Sequence, residues 1–225
     1  MQSLGEAGIG TVCLGKSDES RINAGFAEVV REFGRIDVRG NDAGYGSHGA
    51  IQDIPMHVGR RQSGVKGVGA EGMARLVMPS MRERRSGTIV DISSVSRCMA
   101  GPLRAWNHGA KVALQAVSDR LSVEGKPFGI DVVVIEPNAI RTEFAEVAVE
   151  ALRAASVSGP YGPHPTAIIK SMANEDLERR KSPPTGNCRR NSSGNDRAVS
   201  EPTIHCRFHN VIAAVCKEDA ARHLS

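Results

Sequence analysis

Aromatic side chains are scarce in this sequence, at 4% of 225 residues with a single tryptophan. Any core must therefore be aliphatic and alanine-rich. Long apolar runs are missing as well. None approaches the ~20 residues a helix needs to cross a bilayer, so no membrane partner is expected. Cysteine is sparse and odd in number, with Cys13, Cys98, Cys188, Cys206 and Cys216 widely spaced. No basic-then-apolar leader opens the sequence, so a disulfide framework is not expected and a reducing cytoplasm is. Charge of one sign is lacking too: 29 basic residues against 25 acidic give a net +4, scattered and mixed, which does not single out nucleic acid.

What the chain does have is 40% hydrophobic residues, enough for one ordinary α/β domain. "GTVCL" (Gly10 to Leu14) is a strand candidate. "ESRINAGFAEVVREFGR" carries Ile22, Phe26, Val29, Val30 and Phe33 at helical spacing, with Ser20 near its start. "IDVRGNDAG" reads as a strand running into a glycine loop, and Met56 to Arg84 as a helix with a stripe through Val65, Val68, Leu76 and Val77. "GTIVDIS" predicts a strand, Trp106 to Glu124 a helix, and "GIDVVVIEP" a strand buried on both faces. Alternating strands and helices predict a parallel sheet with helices on both sides.

Residues 1–173 thus form the predicted domain. Residues 174–225 change character: they are rich in Pro, Gly, Ser and Asn without periodicity, and are expected to be an irregular or disordered tail. Cys206, His209, Cys216 and His223 in that tail do not have a common structural zinc spacing, so no metal is expected. Arg179-Arg180-Lys181 and Arg189-Arg190 are offset by Glu175, Asp176 and Glu178 and read as a solvated linker.

Four motifs follow one another: "NDAG" (Asn41 to Gly44), "GTIVDISS" ending at Ser94, Asn107-x-x-x-Lys111, and "VVVIEPNAIRTEF" from Val132. In this order and at these separations they resemble the short-chain dehydrogenase/reductase family, over roughly Val12 to Met172, with "GPYGP" near the family's substrate loop. The resemblance implies a Rossmann-like, doubly wound parallel sheet. It also implies NAD(P)-dependent hydride transfer between nicotinamide and a small alcohol or ketone. The family sets a tyrosine four residues before a lysine, so that both project from one helical face and the ammonium favours the phenolate. Carried over, the catalytic positions are Ser94, Asn107 and Lys111, and the cofactor positions are Asn41, Ala43, Gly44, Lys111, Pro137 and Thr142.

Several positions depart from the family pattern. Asn107 stands where the tyrosine is expected, and a carboxamide does not exchange a proton near neutral pH. A positioned acid is worth about 10²–10⁴ in rate. His108 is expected on the surface, and Tyr161 on a loop. Lys66 stands at the family's relay asparagine and is expected to swing out to solvent. Asp42 replaces an asparagine, and Asn138 replaces the glycine after Pro137. "GEAGIG" (Gly5, Gly8, Gly10) has a shortened glycine spacing with no helix after it, and Gly15 stands where an acid is usual. By spacing, "TVCLGKSDES" matches the family's third strand, so the sheet is expected to be incomplete at its N-terminal half, with an unpaired edge and weak binding of NAD or NADP. Gly59, Gly64, Gly67, Gly69 and Gly72 burden the middle helix at ~1 kcal/mol each. Arg39 at the end of a central strand is costly unless paired.

Three functions stay open on these grounds. One is an oxidoreductase with activity impaired or lost. Another is a non-catalytic module that pairs with itself, or with an intact relative, through the helices at Met56–Arg84 and Trp106–Glu124. The third is a decayed product that does not fold stably.

Overall fold

A computed structural model describes residues 12, 18–42, 44–98, 101–137, 140, 144–172 and 189–191. Helix α1 (Glu19–Phe33) opens at Asp18, whose Oδ1 accepts from the backbone N–H of Ser20 at 2.9 Å and from its hydroxyl at 2.7 Å. Asp18 is therefore the cap, its carboxylate accepting from a first-turn N–H that has no partner within the helix. The helix ends at Gly34 (φ 78°), a conformation an L-residue rarely adopts. Ile22 and Val29 are buried as the spacing predicts, while Phe33 is exposed.

Three parallel strands follow: β1 (Val38–Asn41), β2 (Gly87–Ile92) and β3 (Ile130–Glu136), with Val38 beside Thr88 and Ile89 beside Val132. A fourth, β4 (Arg189–Asn191), pairs antiparallel with β3. Three residues of the segment expected to be irregular thus join the sheet. The strand predicted at "GTVCL", apart from Val12, lies outside the described residues, as do the glycines of "GEAGIG", Gly15 and the tail's Cys206, His209, Cys216 and His223. Among the described residues β1 is an edge strand.

The helical run predicted from Met56 to Arg84 is present in three pieces: α2 (Met56–Ser63), a π-helical turn (Gly64–Val68) and α3 (Gly69–Arg84). Helix α4 (Ala105–Gly125) joins β2 to β3, and α5 (Phe144–Ser156) and α6 (Pro163–Met172) follow β3. The core is aliphatic: Ala74, Val77 and Met81 of α3 pack on Ile89, Ile130 and Val132, with Phe26 against them. Burying each large member stabilises by about 1.5–3 kcal/mol. Strand β3 departs from the expected two-sided burial. Ile130, Val132 and Val134 are buried, but Asp131 on the other face is exposed and Val133 and Ile135 are half-buried. The buried face is the one that meets the α3 residues of the core.

The glycines of the middle helix are not equal burdens. A Cβ on Gly59 would collide with the Trp106 ring, so that glycine lets α4 approach α2. Gly64 has helical φ and ψ (−60° and −47°), and nothing lies within 4 Å of where its Cβ would be. Gly64→Ala is expected to stabilise by about 0.5–1 kcal/mol, raising the thermal midpoint by a few degrees. A midpoint that stays level or drops in thermal unfolding would show that the π turn needs the glycine.

Arg39, expected to be costly unless paired, is paired. Its Nη1 donates to Asp91 Oδ1 at 2.8 Å and its Nη2 to the Ala70 carbonyl at 2.9 Å.

Candidate active site

Parallel strands end on the same side of a sheet, so Asn41, Ser93–Ser94 and Pro137 gather at one edge. Helix α4 passes behind it. Asn107 and Lys111, four residues apart, share one face of that helix. Lys111 Nζ donates to the Ile92 carbonyl, and the Ser93 hydroxyl donates to the Lys111 carbonyl at 3.5 Å, which ties α4 to the end of β2. Ser94 Oγ accepts from the Ser96 N–H at 3.1 Å, starting the 3-10 turn Val95–Cys98. The Val95 N–H donates to the Pro137 carbonyl, and Arg97 pairs with Glu136, so the segments leaving β2 and β3 are bound together.

Asn107 is 7% exposed. Its Oδ1 accepts from Gln62 Nε2 at 3.2 Å and from Lys66 Nζ at 2.6 Å. Gln62 is fully buried; it also donates to the Tyr45 carbonyl at 2.9 Å and accepts from the Ser47 N–H at 3.2 Å. It therefore links the loop after β1 to α4. The motif reading did not find Gln62, because it stands among the polar residues Arg60, Arg61 and Ser63 and nothing in the sequence marks it as the one that turns inward.

Lys66 corrects an expectation. It does not swing out to solvent but is 4% exposed, because the π turn directs it inward and the Asn107 carbonyl offers it an acceptor. Its Nζ lies 5.6 Å from the centre of the Phe144 ring, and its stem crosses Gly44 so closely that a Cβ there would collide with Cε. Burial lowers its pKa from 10.5 to about 7; the charge of Lys111 acts in the same direction and Asp42 against it. Lys111 is also lowered, by burial, with Asp42 and Asp91 opposing.

His108, expected on the surface, is half-buried, and Arg104, Lys66 and His108 all act electrostatically on His48. His48 is 4% exposed, and among the described residues its Nε2 has no hydrogen-bond partner. Burial, followed by Arg104, Lys66 and His108 in that order, lowers its pKa to about 4, so it is neutral at pH 7. Tyr161 is not brought to Asn107: its hydroxyl donates to Gln52 at 3.2 Å. Asn41 turns its amide to Asp91 Oδ1 at 3.2 Å. Ala43, Asn138 and Thr142 lie outside the described residues.

The family model for short chain dehydrogenase matches residues 2–153. The chain belongs to the short-chain dehydrogenase family. It is 29% identical over 172 residues to the oxidoreductase BOA17 of Botryotinia fuckeliana, covering 76% of this chain and 62% of that one. It is 36% identical over 135 residues to dehydrogenase/reductase SDR family member 7B of Rattus norvegicus, covering 60% of this chain and 42% of the relative. The chain thus spans less than two thirds of the length of these curated relatives. A solved structure of NAD+-bound xylitol dehydrogenase shares the fold, with TM-score 0.61, 24% identity, 76% of this chain covered and 66% of that one. The short-chain dehydrogenase fold is accordingly that of a Rossmann-type sheet. Among the described residues no helix is long and apolar enough to cross a membrane.

Proposed function

We propose that this short-chain dehydrogenase acts on alcohols or ketones with hydride transfer strongly slowed or lost, because Asn107 holds the position of the proton-exchanging tyrosine. The observation that carries the reading is the Asn107 carbonyl accepting from both Gln62 and Lys66. A carboxamide used in this way orders the site but neither releases nor takes a proton. The nicotinamide, when bound, supplies or accepts the hydride. The donor set suits its ribose: Lys111 has three N–H donors, of which one goes to the Ile92 carbonyl. Lys111, Gly44, Asn41 and Pro137 would hold the nucleotide, with Ala43 and Thr142 added by the family pattern, and Ser94 would position the substrate oxygen. NAD and NADP both suit this description, and binding is weak.

The test is nicotinamide absorbance with a panel of ketones and alcohols, in which slow or no change is expected. Asn107→Tyr is expected to raise turnover by less than about tenfold, well short of the 10²–10⁴ a positioned acid supplies. The new ring would have to displace Lys66 and Gln62, and the nucleotide would still bind weakly. Brisk turnover by the parent chain, or a gain of several hundred-fold in the variant, would refute the reading.

One observation favours the second reading, a pairing module. Val112 and Val123 of α4 are 49% and 63% exposed, with Ala113 and Ala116 exposed between them. This exposed valine and alanine surface, with Asp119 and Arg120 among it, suits a homodimer, or a heterodimer with an intact relative; concentration-dependent sedimentation separates this from a monomer.

A further inference from the structure

Lys66 is used by none of the chemistry above, yet it is the most unusual side chain at the site. It is carried on a π turn, a distortion that recurs at functional sites and that here aims a lysine inward. Its Nζ is fixed by the Asn107 carbonyl and sits beside the Phe144 ring. Among the described residues the cover on one side is thin. Gly44, against which the Lys66 stem packs, is exposed and has no side chain, and neighbouring Asp42 is exposed too. Cations gather here: Lys111 from α4 acts on Lys66, and Lys66 and Arg104 act on His48 from the loop after β1, with Asp42 opposing on Lys66. Burial beside another cation is what makes a lysine amine nucleophilic near neutral pH.

We propose that Lys66 is a carbonyl-capturing amine, and that this site takes small aldehydes as imines. The Nζ lone pair attacks the carbonyl carbon and the C=O π pair moves to oxygen. A proton passes from nitrogen to that oxygen, giving a carbinolamine. The C–O bond then breaks, water leaves with a second proton, and a C=N bond to Nζ remains. Nothing is oxidised or reduced. His48, held neutral, presents an unpartnered buried Nε2 within electrostatic reach of Lys66, a group able to hydrogen-bond the departing oxygen.

The proposal goes beyond the dehydrogenase reading and needs no nicotinamide, so the two can fail separately. The test is trapping with propanal and sodium cyanoborohydride, which reduces an imine to a stable propylamine, followed by peptide mass mapping of the full chain. At pH 7 about half of Lys66 is neutral, against on the order of one in 3,000 for an ordinary lysine. Lys66 is therefore expected to be propylated at least about tenfold faster than the exposed Lys126 and Lys170, even with a loss from its burial. In guanidinium chloride the preference is expected to vanish, since it belongs to the fold. No variant is needed, so misfolding cannot imitate either outcome. Labelling of Lys66 no faster than Lys126 and Lys170 in the folded chain, or a preference that survives denaturation, would overturn the proposal.

Discussion

Asp91→Ala is expected to destabilise the chain by about 3–5 kcal/mol, comparable to the whole stability of a marginal domain. Asp91 is 2% exposed in the middle strand of the three parallel ones and accepts from three side chains. Oδ1 takes Arg39 Nη1 at 2.8 Å and Asn41 Nδ2 at 3.2 Å; Oδ2 takes the Ser118 hydroxyl at 2.8 Å. Among the described residues, alanine would leave the Arg39 guanidinium, itself 5% exposed, with the Ala70 carbonyl alone. A buried cation without its anion costs far more than the pair contributed. The pair itself is a different matter, since two desolvated charges roughly cancel their own attraction. Arg39→Met with Asp91→Leu is therefore expected to recover most of the loss. Urea unfolding reads both. An unfolding free energy for Asp91→Ala within ~1 kcal/mol of the parent would mean that water or a shifted neighbour compensates Arg39.

Much of this architecture was legible in the sequence, and the limits have physical causes. Strands β2 and β3 and helix α1 stand where periodicity placed them, because each has apolar residues that must be covered, and α4 stands there too; β1 also stands where it was expected, although the residues it buries are Arg39 and Asn41. That Arg39 needed a partner was legible from its strand position. Which residue would serve was not, since Asp91 lies on another strand and meets it only through the register that sets Arg39 beside Ile89. Ser94 and the Asn107–Lys111 pair were legible as motif positions with helical spacing. The inward turn of Lys66 was not. An ordinary helix phase would set residue 66 differently, and the π turn that changes the phase leaves no mark in an apolar pattern. Gly59 was misread for a related reason: a helix-propensity scale counts its missing side chain as a loss, while the tertiary contact with Trp106 depends on it.

The pH dependence of stability is where Lys66 is expected to show its largest effect. Its amine gives up its proton at about 7 in the fold and at about 10.5 when exposed. Between those values the unfolded chain binds the extra proton, so stability rises with pH across this window. Below pH 7 both states are protonated and the full cost of a buried ammonium is present; above 10.5 it is gone. At ~1.4 kcal/mol per pH unit the difference is about 5 kcal/mol, and about 3–5 once relaxation around the amine is allowed for. Lys111 adds a slope of the same sign, so the measurement is the difference between the parent and Lys66→Met, unfolded in urea at pH 6 and pH 10. The variant is expected to be more stable than the parent at pH 6, and its lead is expected to shrink or reverse by pH 10, where the parent keeps the bond to Asn107 at no charge penalty. Gln62 still donates to Asn107 in the variant, so the carboxamide is not orphaned. A lead that is the same at both pH values would mean that Lys66 titrates as an ordinary surface lysine. The buried amine, and with it the imine chemistry assigned to it, would then be ruled out together.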